Sequence, residues 1–251
     1  MKTQLSIFKV FQNNDEYFEL LNDSALSKKY VIRQLSFILL FALIYGVIMG
    51  SYGSFLQGMV TGIKVPCLIF LSLIICFPAF YVIQYMIGST MTLLQMMNII
   101  FSGFLVFTTI ALSFAPIVIF FMITSNNYSF IKLLHVAIFT FSGIFAVKTI
   151  INGLLFSCEK RKIYPKLGMK IFKIWVVILA FVSSQLAWNL RPFIGDQTLA
   201  FELFRKRESN FYIAVIQSAV SFVNPTKETK EIPVSKEPEN DPIRPENGEG
   251  R

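Results

Sequence analysis

Between residues 65 and 131 the chain carries no Asp, Glu, Lys, Arg or His. At about 1.5 Å per helical residue that stretch is about 100 Å long, against a hydrocarbon core about 30 Å thick. A soluble domain could not hide it, since buried globular helices usually stay well under about 20 residues. The stretch has to cross a bilayer and come back.

Composition agrees. Charged residues make up 15% of the chain and hydrophobic ones 54%, whereas soluble domains carry about 25% charged residues. The 251 residues leave room for about five spans of about 20 residues each. A net charge of +8 would suggest nucleic acid in a soluble protein. Here the basic residues flank apolar runs, as expected of loops facing anionic lipid headgroups, so lipid and not nucleic acid is the expected partner. Cys67, Cys76 and Cys158 share no metal or disulfide spacing and read as packing residues. No cofactor is expected. Residues 1–30 have no apolar core of the signal-peptide kind, so the first span is expected to act as an uncleaved signal anchor.

Residues 1–34 mix both charge signs with Phe11, Tyr17, Phe18 and Leu21, a pattern that predicts an amphipathic segment on the cytoplasmic surface. The five-span membrane domain is placed at 35–190, with spans at about 35–52, 66–87, 93–114 with a continuation to 124, 131–155 and 174–190. Gly46 and Gly50 form a GxxxG pair, repeated at Gly58 and Gly62, which predicts close packing between helices of one chain. Pro66 suits the first turn of the second span. Pro78 lies inside it and predicts a kink, with Ser72 as a partner for the freed carbonyl. Pro116 divides the third apolar run, because 116–124 is too short to cross alone.

The loop 157–173 carries Lys160, Arg161, Lys162, Lys166, Lys170 and Lys173 against Glu159. With the basic residues of 1–34 on the same side, the positive-inside rule makes the N-terminus cytoplasmic and the C-terminus extracytoplasmic. A sixth crossing at 211–223 would be too short, and its polar residues share a face, so 191–224 is read as an interfacial collar. Residues 225–251, rich in Pro, Glu and Lys, cannot offset the entropy of ordering and are expected to be disordered.

Few residues suggest chemistry. His135 is the one histidine, and zinc needs three or four ligands. Ser89 with His135 is the one pair a serine protease could use, and no motif supports it. Lys148 falls inside the fourth span, where a lysine costs about 2.5 to 3.5 kcal/mol unless its stem reaches the interface. With Asn152, Asn98 and Gln95 it forms a candidate intramembrane polar site. Trp188, Arg191 and Pro192, with Glu202 and Arg205 beyond them, form a candidate collar that caps a helix end or meets lipid phosphate.

The pieces Trp-x-Leu-Arg-Pro-Phe-Ile-Gly at 188–195, Phe-x-Leu-Phe-Arg at 201–205 and Asn-Phe-Tyr at 210–212 follow Lys64-Val65-Pro66 and Cys76-Phe77-Pro78. Together they resemble an uncharacterised family of bacterial polytopic membrane proteins over about residues 30–215. That resemblance implies a bacterial inner membrane and no particular activity. The five-span, N-inside layout also resembles the Yip family of membrane-trafficking proteins. The expectation is an all-α polytopic membrane helix bundle with five transmembrane helices and interfacial amphipathic helices. It would act without catalysis as a scaffold or assembly factor, with a protein partner or a homo-oligomer open. The alternative is a channel or small-solute transporter lined by Lys148, Asn98, Gln95 and Asn152.

Overall fold

The computed structural model describes residues 17–19, 24–86, 91–125, 127–160, 166–194 and 216, except for the side chains at 24–26, 158–160 and 166–169. Six helices follow one another: α1 (Ser24–Gly50), α2 (Phe55–Met86), α3 (Leu93–Ser113), α4 (Ala115–Thr124), α5 (Tyr128–Lys160) and α6 (Lys166–Leu190). Five stretches are long and apolar enough to cross a membrane, with α3 and α4 together forming the one at Leu93–Thr124.

Their faces show which solvent they suit. On α1 the buried positions Tyr30, Val31, Gln34, Ile38, Ala42, Tyr45 and Met49 recur every three or four residues, while Ile32, Leu40, Leu43 and Ile44 on the other side are exposed. A helix apolar on both its packed and its open face belongs in lipid. The same holds throughout, because only 22 to 33% of each span's most apolar window is buried inside the protein. In water the remaining apolar surface would far exceed the few hundred Å² that monomers tolerate.

Local signals set the helix ends. Ser54 accepts the Gln57 backbone N–H at 3.1 Å and starts α2. Thr92 and Gln95 form a reciprocal capping box at the start of α3. Asn127 accepts the Phe130 N–H at 3.1 Å and starts α5. The break at Phe114 places Pro116 in the first turn of α4, where its missing N–H costs no helix bond.

Three helix starts differ from the sequence reading, and one of them is that of α6, at Lys166 and not near 174. α1 begins at Ser24, not near 35, because Ser27, Tyr30, Val31 and Gln34 continue the buried face through its charged first turns. α2 begins at Phe55, not near Pro66, and runs through both Pro66 and Pro78. Lys64, expected in a loop, is therefore a buried helix residue.

The reason lies in the α1–α2 crossing. A Cβ on Gly46 would stand 2.8 Å from the Thr61 carbonyl oxygen, and one on Gly50 would stand 2.6 Å from that of Gln57. From the other side, a Cβ on Gly58 would meet the Val47 carbonyl oxygen at 3.1 Å, and one on Gly62 the Val47 side chain at 2.6 Å. The two GxxxG pairs thus face each other within one chain, and backbone approach of this kind drives helix association in lipid. That contact needs α2 to be helical well before Pro66.

The helices pack in the order α6, α2, α1, α3, α5, with α1 central. Asn98 of α3 donates to the Ser27 hydroxyl at 2.6 Å and to its carbonyl at 3.1 Å, so α3 and α1 begin at the same end. Gly103 of α3 admits Ile150 of α5, and Ile99 meets Gly153, so α5 runs antiparallel to α3. α6 returns along α2, where Phe80 lies 5.3 Å from Phe172 and 4.4 Å from Trp175, ring centre to ring centre. Beside Pro78 the Trp175 indole donates to the Cys76 carbonyl at 2.9 Å. Ser72 does not serve the carbonyl that Pro78 frees; its hydroxyl bonds back to Leu68 at 2.8 Å. With five crossings, the start of α1 (the near end) and the end of α6 (the far end) lie on opposite sides of the bundle.

At the near end residues 17–19 lie against the helices. Tyr17 and Phe18 are buried among α1, α3 and α5, and do not rest on an outer surface. Gln34 Nε2 donates to the Tyr17 hydroxyl, and burial pushes that phenol's pKa up. The other residues of 1–23, and those of 195–251 except 216, lie outside the described residues, as do the expected helix at 211–223 and the tail at 225–251.

Candidate functional site

Gln57, Thr61 and Lys64 follow one another at helical spacing on α2, and all three are buried. They meet the chain just after α6. Gln57 Nε2 donates to the Pro192 carbonyl at 3.0 Å and Lys64 Nζ donates to the same oxygen at 3.2 Å. The Thr61 hydroxyl donates to the Phe193 carbonyl at 2.8 Å. From α5 the Tyr128 hydroxyl donates to the Ile194 carbonyl at 3.1 Å. Four side chains on two helices thereby hold three successive carbonyls, and the Arg191–Pro192 peptide bond between them and α6 is cis.

The setting is aromatic and cationic. The Arg191 guanidinium stacks 3.7 Å over the Trp188 ring, Lys132 sits 4.6 Å from the centre of the Tyr128 ring, and Tyr52 at the end of α1 stacks on Tyr128. Such pairings hold a cation at a membrane boundary through its contact with the ring face. Deeper in the bundle, the Tyr45 hydroxyl and His135 Nδ1 are 2.9 Å apart, linking α1 to α5. His135 Nε2 is buried and has no partner among the described residues.

Chemically, this site is a backbone clamp. Its donors are matched to peptide carbonyls, and an ammonium bonded to a carbonyl tolerates burial because the oxygen partly replaces lost water. It ties α6 to α2 and α5 at the far end.

The polar group expected around Lys148 is not brought together. Ala146 and Ile150 face α3, whereas Lys148, two residues from each, is exposed on the opposite side of α5. Asn152 is half-buried one turn further on. Asn98 is engaged by Ser27, and Gln95 closes the start of α3 through Thr92. Of the collar, Trp188, Arg191 and Pro192 take part in the far-end site, while Glu202 and Arg205 lie outside the described residues. So does Ser89; His135 is about 10 Å along α5 from its far-end start. Cys67 and Cys76 are free thiols. Among the described residues no three His, Cys, Asp or Glu side chains could hold a metal ion together.

Sequence reasoning missed Gln57, Thr61 and Lys64. The signal was their spacing of four and three just before Pro66, which reads as a polar helix face once α2 is started at Ser54. Removing one clamp bond should release the segment. Thr61→Val leaves the Phe193 carbonyl without its donor and should cost about 1 to 3 kcal/mol. Reaction of Phe193→Cys with a membrane-impermeant maleimide should then speed up in the Thr61→Val background and stay slow with Thr61 intact.

Set against protein-family models, curated proteins and solved structures, the chain matches none of them. Fold and site together define a class: a multi-pass α-helical membrane protein with five apolar helices long enough to cross the bilayer, clamped at one end by its own chain.

Proposed function

We propose that this protein is a non-catalytic membrane scaffold that holds two extensions on opposite sides of a bilayer for assembly with partners. One observation carries the reading: the chain is anchored at both ends of the bundle, through Tyr17 and Phe18 at the near end and through the carbonyls of 192–194 at the far end. The polar side chains of the spans go largely into closing the bundle on itself, as Asn98 and Gln95 do. The near end carries Lys28, Lys29, Arg33, Lys170 and Lys173, which supports a cytoplasmic N-terminus by the positive-inside rule. The inner membrane of a bacterium and a Yip-like assembly or trafficking role fit that orientation. A solute path through Lys148, Asn98, Gln95 and Asn152 is not favoured, because Lys148 faces outward and the two buried amides are already engaged.

The test compares the full-length protein with one lacking residues 225–251, captured in mild detergent from the native membrane. The scaffold reading expects a defined set of associated proteins that is lost on truncation while the bundle keeps its unfolding transition. Solute or ion flux in proteoliposomes that Asn98→Leu abolishes would overturn it.

A further inference from the structure

We propose that α6 is the interface of a parallel homodimer, in which the Gln185 side chains of two copies hydrogen-bond to each other inside the membrane. α6 stands at one edge of the helix order with α2 as its main neighbour, and its most apolar window is the least buried of the five, at 22%. Its packed side is made by Phe172, Trp175, Val176 and Leu179. On the other side Ile174, Ile178 and Phe181 are exposed. Gln185 is the next residue of that stripe and is half-buried; at about 100° per residue it falls within about 20° of both Ile174 and Ile178. Steps of four, three and four residues are the spacing of a heptad seam, along which one helix packs on another.

The amide is what calls for a partner. The apolar stretch Lys170–Leu190 is 21 residues long, about one hydrocarbon thickness of helix. Gln185 lies about 8 Å inside its far-end limit and about 22 Å from its near-end one. A helical Cα–Cβ bond tilts toward the helix N-terminus, which for α6 is the near end, so the side chain leads into the hydrocarbon and not out to the far-end headgroups. The Gln185 amide makes no hydrogen bond with any described residue. Whichever way it is turned, a donor and an acceptor stand unpaired in lipid, at a cost that bonding to another helix removes. The occupant that fits is a second copy. Copies inserted with the same topology close into a pair about an axis along the membrane normal, which brings each α6 residue to its own counterpart at equal depth. An amide is its own complement, since it both donates and accepts, so two Gln185 side chains exchange two bonds. Equal depth would also set like charges together, and residues 174–190 carry no Asp, Glu, Lys, Arg or His. One amide in an otherwise apolar seam then fixes register and the number of helices, as a single polar core residue does in coiled coils.

The experiment uses full-length chains carrying a donor or an acceptor fluorophore after Arg251, mixed in phosphatidylcholine vesicles, with energy transfer read against the protein-to-lipid ratio. Transfer above the level of random encounter is expected. Gln185→Leu should weaken the dimer about tenfold, the loss of two interhelical bonds of average strength in lipid, and Gln185→Asn should recover part of it. Because the side chain faces out of the bundle, Gln185→Leu should fold as the unaltered chain does. With Cys67, Cys76 and Cys158 replaced by alanine, Ile178→Cys should give a disulfide-linked dimer on oxidation with copper phenanthroline. Ala180→Cys, exposed on the other flank of α6, should stay monomeric. Transfer at the random level alone, which would leave this face to lipid or to a different protein, would overturn the proposal. So would a Gln185→Leu dimer as tight as the unaltered one, or equal cross-linking at 178 and 180. A Gln185→Leu chain that no longer folds would overturn it too, since the amide would then serve the bundle itself.

Discussion

Replacing Gly46 and Gly50 together by alanine is expected to separate α1 from α2 and to cost about 2 to 6 kcal/mol, since overpacking costs about 1 to 3 kcal/mol at each site. Each new Cβ would meet backbone, at 2.8 Å from the Thr61 carbonyl oxygen and 2.6 Å from that of Gln57. Backbone cannot turn aside as a long side chain does, so the helices must move apart. In lipid no hydrophobic driving force compensates for the lost contact, because lipid tails are as apolar as the partner helix. The consequence reaches the far-end site, for Gln57, Thr61 and Lys64 lie on the helix that is displaced. The measurement is an unfolding titration of the purified protein in mixed micelles. Gly143→Ala is the control: nothing stands within 4 Å of a Cβ there, and it should be neutral or slightly stabilising, alanine being the better helix former by about 1 kcal/mol.

Trp175→Ala should cost about 3 to 5 kcal/mol, the usual range for deleting a buried aromatic ring. Trp175 is 3% exposed and is packed on Phe80 and Phe172, and its indole N–H is the donor to the Cys76 carbonyl beside Pro78. α6 has α2 as its main neighbour, so loss of this ring loosens its only extensive contact with another described helix. Trp175→Phe separates the two contributions: it keeps an aromatic ring and loses the hydrogen bond, and should cost about 1 to 2 kcal/mol. The chain holds two tryptophans, so in Trp175→Phe the remaining fluorescence reports Trp188 beside Arg191. An unchanged Trp188 spectrum in that variant would show that the clamp holds while the α2–α6 contact weakens.

The five apolar helices were legible because charge is so costly in hydrocarbon that a chain lacking it throughout 65–131 suits little except a bilayer. The GxxxG pairs were legible as close-packing surfaces, and the structure supplies which faces which. What failed was the start of α2. Lys64 and Pro66 read as the end of a loop and the first turn of a helix, because a lone lysine in a span has no visible partner. Its partner is a carbonyl 128 residues away in sequence, and no local pattern records such a contact. Lys148 misled for the same reason in reverse: its charge stood out in the chain, yet helical phase turns it away from every packed neighbour. Asn98 and Gln95 looked like path-lining residues and instead make a helix–helix contact and a helix cap, uses that uncharged amides in spans share with functional ones.

An odd number of crossings puts the two anchored ends on opposite sides of the membrane. Fusing, in turn, a reporter active only in the cytoplasm and one active only outside it to the C-terminus after Arg251 tests this directly. Signal is expected from the extracytoplasmic reporter alone; a cytoplasmic signal from the folded fusion would put both ends on one side and rule the five-crossing arrangement out.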